Sequence, residues 1–186
     1  MAEHVCPWWL GYLLASPIRK WISEDPETLL RPYVRQEMTV LEPGPGMGFF
    51  TLPLARLVGP SGRVIAVDIQ SKMLDNLRRR ARKAGLLDRI ETRLAGAEGM
   101  RVDDFAGTVD FVLAFAVVHE MPSAAAFFGE AASALTRGGM LLLAEPAGHV
   151  SSETFAAELE AAQMAGLAEI SRPPVRRSRA ALLKRV

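Results

Sequence analysis

A chain of 186 residues with 49% hydrophobic and 23% charged residues has an ordinary globular composition, and is long enough to bury its own core without a staple. Lys+Arg 22 against Asp+Glu 21 leaves a net charge of +1, which excludes the global field of a histone-like binder. The single cysteine, Cys6, excludes an internal disulfide framework and a multi-cysteine metal site, and three histidines leave little room for a histidine-built metal centre.

Taken in chain order, the first feature is an uncharged stretch from Val5 to Ile18 that clusters Trp8, Trp9 and Tyr12. It is shorter than the roughly 20 residues a bilayer span needs, and lacks the Lys or Arg that opens a signal peptide. It reads as an interfacial or lid helix on a soluble, cytoplasmic protein. A helical region is expected to continue to about Met38, with Asp25-Pro26 serving as cap and first-turn residue. A strand at Thr39–Glu42 and a helix from Phe49 to Val58 follow, the helix stopped by Gly59 and Pro60. Strand Arg63–Asp68 then leads to a helix from Ser71 to Ala84, with Leu74, Leu77 and Ala81 as its buried stripe and Arg78–Lys83 mostly on its solvated face.

Beyond it come a short strand near Ile90–Leu94 and the near-continuous apolar run Val109–Ala116, of the kind found in central strands. Ser123 can cap a helix to Leu135, and Gly138-Gly139 are expected to turn the chain into strand Met140–Ala144. A helix from Ser152 to Ala165 and two closing strands, Leu167–Ser171 and Ala180–Arg185, complete the chain. Strands alternating with helices predict an open, doubly wound α/β sheet.

The segment that carries chemistry is Val40-Leu41-Glu42-Pro43-Gly44-Pro45-Gly46-Met47-Gly48. An acid ends the first strand, and three glycines at alternate positions allow backbone to approach a ligand closely in a tight turn. A dinucleotide fingerprint would space its third glycine one residue later, and a phosphate loop would carry Gly-Lys. Asp68 ends the second strand, where a carboxylate meets ribose hydroxyls in such sheets. Glu42–Gly48 with Asp68 resembles the first two motifs of class I S-adenosylmethionine (SAM)-dependent methyltransferases. Val109–Val112, Val118–Pro122 and Gly138–Pro146 resemble that family's fourth strand, the loop after it, and its fifth strand. The nearest likeness is to small UbiE-like, type 11 methyltransferases, over about residues 38–186.

The resemblance implies a Rossmann-like, doubly wound, mostly parallel sheet with an antiparallel last strand and helices on both faces. It implies one domain over 1–186, with 1–38 a helical lid region and 39–186 the SAM-binding core. It implies SAM as methyl donor, S-adenosylhomocysteine as product and a small-molecule acceptor. Glu42 would help hold the SAM amino group, Gly44, Pro45, Gly46 and Gly48 would line its methionine and ribose, and Asp68 would accept from the ribose hydroxyls. Ile69 and Phe115 would complete the surround, with Ala97 backbone and Glu98 near adenine. Many relatives carry Asp-Ala after strand three; here the stretch reads Leu94-Ala95-Gly96-Ala97-Glu98, so that acid is either displaced to Glu98 or missing.

His119 and Glu145 are the candidate catalytic residues, at the ends of strands four and five where open α/β sheets place ligands. The basic tail from Arg172 and the Arg78–Lys83 run raise a nucleic-acid reading, but a solvated helix face and an edge hairpin explain them. No Asn/Asp-Pro-Pro-Tyr-like tetrad follows strand four. The competing expectations are an NAD(P)-binding oxidoreductase and a non-catalytic SAM-binding module.

Overall fold

The computed structural model describes residues 25–96 and 99–186. Helix α1 (Pro26–Leu30) is capped by Asp25, whose carboxylate accepts from the Thr28 amide. It is only one turn long, so the helical region expected to Met38 gives way to turns after Leu30. The uncharged Val5–Ile18 segment lies outside the described residues.

Seven strands form one sheet: β1 (Thr39–Pro43), β2 (Arg63–Asp68), β3 (Ile90–Leu94), β4 (Val109–Phe115), β5 (Leu135–Pro146), β6 (Leu167–Ser171) and β7 (Ser178–Arg185). Their order is β3-β2-β1-β4-β5-β7-β6. The first five run parallel, and β7 pairs antiparallel with both β5 and β6. The connecting helices are α2 (Thr51–Leu57), α3 (Ser71–Lys83), α4 (Ala124–Ala134) and α5 (Ser152–Met164). Val40, Leu41, Val112 and Leu113 of the central strands are fully buried, as expected for a sheet covered on both faces. Two apolar clusters flank the sheet. One joins α1, α2 and α3 to it, and the other joins α4 and α5.

Several predicted boundaries shift by a residue or two, and two of the changes alter the reading. Phe49 and Phe50 belong to a turn, and α2 begins at Thr51. Gly138-Gly139 do not precede the fifth strand but lie inside it. The β4–β5 pairing steps from Val109↔Leu135 to Phe111↔Met140, leaving Thr136–Gly139 as a bulge with Gly138 at φ 79°. The chain order 3-2-1-4 reverses direction between β1 and β4, so the carboxyl ends of these strands open onto a crevice.

Candidate active site

The strand-one turn runs into this crevice with Gly44, Gly46 and Gly48 all at positive φ (66°, 53° and 86°). They differ in what surrounds them. A Cβ on Gly44 would meet Val117 Cγ2 at 2.6 Å, and one on Gly48 would meet Leu77 Cδ1 at 2.5 Å, whereas at Gly46 nothing lies within 4 Å. Gly44 and Gly48 are therefore packing glycines. Gly44 is itself exposed and Gly46 is half-buried, and at Gly46 the direction a side chain would take is open space, so a ligand can approach bare backbone there. Arg80, from the basic run of α3, donates to the Met47 carbonyl and holds the turn from below.

Two carboxylates flank the loop. Glu42, paired in register with Ala66, is 3% exposed, and its Oε2 has no hydrogen-bond partner. Burial pushes its carboxyl up to about 8; Thr51 opposes the shift and the Asp68 charge adds to it. Asp68 is buried at the end of β2 and accepts from the Gln70 amide at 2.8 Å. Burial raises its carboxyl too, against backbone N–H groups of Gln70, Gly46 and Ile69. Next to Asp68, Ile69 is 57% exposed, and Leu94, the register partner of Asp68, is 51% exposed. Two large apolar side chains left bare at adjacent strand ends make a surface suited to a flat heterocycle. Phe115 is half-buried against Phe50, ring centroids 4.5 Å apart. Ala97 and Glu98 lie outside the described residues.

These features suit SAM as a ligand. An unpartnered buried carboxyl oxygen suits an ammonium, a second acid stands beside the bare glycine backbone, and apolar side chains flank that acid. SAM bound there would supply a methyl group activated by a sulfonium.

Beyond the loop, β4 ends in Phe115 and the chain kinks at Ala116, held at φ 53° while its amide donates to Ala144. The kink throws Val117 over Gly44 and carries Val118–Glu120 across the end of β5. Glu145, fully buried, accepts there from the amides of Val117 (3.2 Å) and Val118 (2.8 Å) through Oε1, and from His119 Nδ1 through Oε2. With both oxygens engaged, Glu145 sits behind His119 rather than open to the crevice. Its contact with the ring raises the imidazole's proton affinity, against the cost of burial. Nδ1 donates to the carboxylate, which leaves Nε2 as the free basic nitrogen, and the His119 side chain is one-fifth exposed. His149 packs edge-on beside it, ring centroids 6.3 Å apart.

The structure thus brings Glu42, the three glycines and Asp68 together around one loop, and pairs His119 with Glu145 across 26 residues of sequence. Sequence reading missed Glu158, 5% exposed on the inner stripe of α5 between Phe155 and Ala162. Its signal was an acid at helical spacing on an apolar face. It also placed Arg80 among the solvated residues. Most of the remaining basic side chains of interest are engaged. Arg78 bonds Thr92 and Asp75, Arg172 pairs with Glu169, and Arg179 and Arg185 donate to the carbonyls of Ala147 and Leu135.

A family described as "Methyltransferase domain" matches residues 35–172, most of the chain. The chain belongs to this family, and its sheet is that of a class I SAM-dependent methyltransferase. Among curated relatives, the ubiquinone/menaquinone biosynthesis C-methyltransferase UbiE of Pasteurella multocida is 39% identical over 80 residues, 43% of this chain and 29% of that protein. An uncharacterized 37.1 kDa protein in a Streptomyces fradiae transposon is 33% identical over 103 residues, 55% of this chain. The matched part is 28% of the latter protein, so the chain spans less than a third of the length of either relative. Among solved structures, a SAM-dependent methyltransferase from Aquifex aeolicus superposes with a TM-score of 0.85 at 24% identity, over 98% of this chain and 100% of that one. Geranyl diphosphate C-methyltransferase from Streptomyces coelicolor, solved with Mg2+, geranyl diphosphate and S-adenosylhomocysteine, gives 0.69 at 15% identity, over 86% and 76%. The family membership replaces the NAD(P)-oxidoreductase alternative.

Proposed function

We propose that this protein transfers the SAM methyl group to a small-molecule acceptor whose nucleophilic atom arrives protonated. The observation that carries the proposal is His119, held through Nδ1 by the buried Glu145 beside the acid-flanked glycine loop. On this reading Glu42 holds the ammonium, and Gly44, Pro45, Gly46 and Gly48 lie along the methionine and ribose. Asp68 takes the ribose hydroxyls, with Ile69 and Phe115 as apolar walls and Ala97 and Glu98 toward adenine. Residues 39–186 are then the cofactor-binding core.

His119 Nε2 would take the acceptor's proton as the acceptor's lone pair attacks the methyl carbon that bound SAM would supply, the C–S electron pair leaving with the sulfur. Glu145 touches neither partner; it fixes the ring's tautomer and orientation, the role of a carboxylate behind a general base. The remaining work is alignment and exclusion of water. Engagement of the basic tail by carbonyls and Glu169 favours a small molecule over nucleic acid. Among the described residues no helix is long and apolar enough to cross a membrane, and the lone Cys6 fits a reducing cytoplasm.

Incubating the protein with methyl-labelled SAM and fractions of a metabolite extract tests the proposal. It predicts label in an acceptor fraction, lost in His119→Asn. Label appearing only on added RNA, with a steep salt dependence, would contradict it.

A further inference from the structure

Beyond β3 the chain makes a narrow turn beside the cofactor side of the crevice. The Ala95 amide donates to the Asp68 carbonyl at 3.0 Å, carrying the β2–β3 pairing one residue further, and the Gly96 amide donates to the Gly99 carbonyl at 2.9 Å. Glu130 of α4 fixes the far side of the turn, accepting from the amide of the buried Met100 at 2.8 Å. Arg101 follows at φ 58°, a left-handed conformation that residues other than glycine seldom adopt. Arg93 holds it there. Its Nη1 donates to the Arg101 carbonyl at 2.9 Å, both of its Nη atoms meet Asp104, and its Cζ lies 4.3 Å from the Phe105 ring centroid. The strained backbone sends the Arg101 side chain back over Gly96. A Cβ on Gly96 would meet the guanidinium, Nε at 2.7 Å and Cζ at 3.2 Å, so glycine at 96 is what makes room for it. Arg101 is exposed, and among the described residues no hydrogen bond or ion pair engages its guanidinium. Strain over-determined by its surroundings, around one unengaged side chain, points to a use for that side chain.

We propose, resting on the methyl-transfer reading above, that Arg101 is a specificity residue for the cofactor's purine, its planar guanidinium lying against the adenine ring beside Ile69 and Leu94. Leu94 is the register partner of Asp68, and Gly96 is two residues further, at most about 7 Å along an extended chain. Side chains alternate along a strand, so Leu94 and Gly96 share one side of its continuation. Ala95 between them packs into the opposite apolar cluster, with α4 and α5. The guanidinium over Gly96 therefore borders the bare apolar surface that Leu94 and Ile69 present. Adenosine carries no charge, so a free guanidinium at this end of the cofactor meets a π-system rather than an anion. A planar cation stacks on such a ring, and an ammonium does not reproduce the stacking.

The test is calorimetry of S-adenosylhomocysteine with the native chain, Arg101→Gly and Arg101→Lys, paired with nuclear Overhauser measurements on the native complex. Glycine is at ease at φ 58°, so Arg101→Gly keeps the turn and its affinity reports the missing side chain. Both variants should bind about 3- to 30-fold more weakly, the span for a guanidinium on a π-face. Lysine fails with glycine because it keeps the charge and lacks the plane. Overhauser contacts should join adenine H2 or H8 to the Arg101 side chain. With SAM as the varied substrate, the variants should raise KM and leave kcat unchanged, the mark of lost ground-state binding. If neither variant folds, the Overhauser contacts decide alone. Native affinity in Arg101→Lys or in both variants overturns the proposal and leaves the functional reading standing, as does weaker binding without those contacts. A native chain that does not bind S-adenosylhomocysteine overturns the functional reading, and the proposal with it.

Discussion

At the residue scale the cofactor side of the site is governed by one unpaired atom. Glu42 Oε2 is buried without a partner, and burial pushes the carboxyl up to about 8. In the ligand-free protein this residue is held mostly protonated at neutral pH. An ammonium placed against it would favour the carboxylate, so cofactor binding should release a proton near pH 7. Calorimetry of S-adenosylhomocysteine in buffers of different ionisation enthalpy checks this; the apparent binding enthalpy should vary with buffer for the native chain and not for Glu42→Gln. The same variant should raise ligand-free stability at pH 8 by about 1–3 kcal/mol, because it removes a carboxyl that when buried is either charged or holds a proton the unfolded chain has already released. Denaturant unfolding at pH 8 measures it. The placement of Glu42 and Asp68 at strand ends was legible in the sequence because each closes an apolar β-branched run. Glu158 was not, because an acid within a helix is ordinarily solvated, and only the Phe155–Glu158–Ala162 spacing marks its burial.

At the element scale the glycine turn combines packing and access. Gly48→Ala should cost about 1–3 kcal/mol, since its Cβ would drive into the fully buried Leu77 at positive φ. Gly46→Ala pays only the left-handed backbone strain, about 1 kcal/mol, because its Cβ points into open space. Yet Gly46→Ala should lose at least about tenfold in S-adenosylhomocysteine affinity, equivalent to about 1.4 kcal/mol, because the proposed site puts the ligand in that space. Thermal unfolding and calorimetry on the two variants separate the effects; the reverse ranking would place the ligand elsewhere. The strands were largely readable from their apolar runs, and β2, β3 and β6 match the predicted ranges. The Gly138-Gly139 bulge was not, because a paired strand interrupted by a loop and a turn before a strand leave the same residues in sequence. Arg80 shows the same limit, since its bond to Met47 crosses 33 positions and depends on how α3 docks.

At the scale of the whole molecule, the buried titratable groups act in one direction. Glu42 and Glu158 have folded values raised to about 8 and about 7, above those of an unfolded carboxyl. Their folded forms hold protons that the unfolded chain releases, so stability falls as pH rises through that window. The raised His119 works with the same sign, its contribution present below the unfolded histidine value and lost as pH rises through its folded one. Asp104 and Glu169, held low by Arg93 and Arg172, oppose this only as pH falls through the carboxylate range. Melting temperature without ligand should therefore peak near about pH 5–6 and decline toward pH 8, and S-adenosylhomocysteine should flatten the decline by satisfying Glu42. The fold class was legible because alternating strands and helices admit few arrangements. The union of His119 with Glu145 was not, since it rests on the β4–β5 register and the kink at Ala116. The most direct test of the cofactor site is calorimetric titration of S-adenosylhomocysteine into the native chain and Asp68→Ala at pH 7. The account predicts that the variant, still folded, loses about 1.5–3 kcal/mol of binding free energy, roughly 10- to 150-fold in Kd. Equal affinity in the two proteins would contradict it.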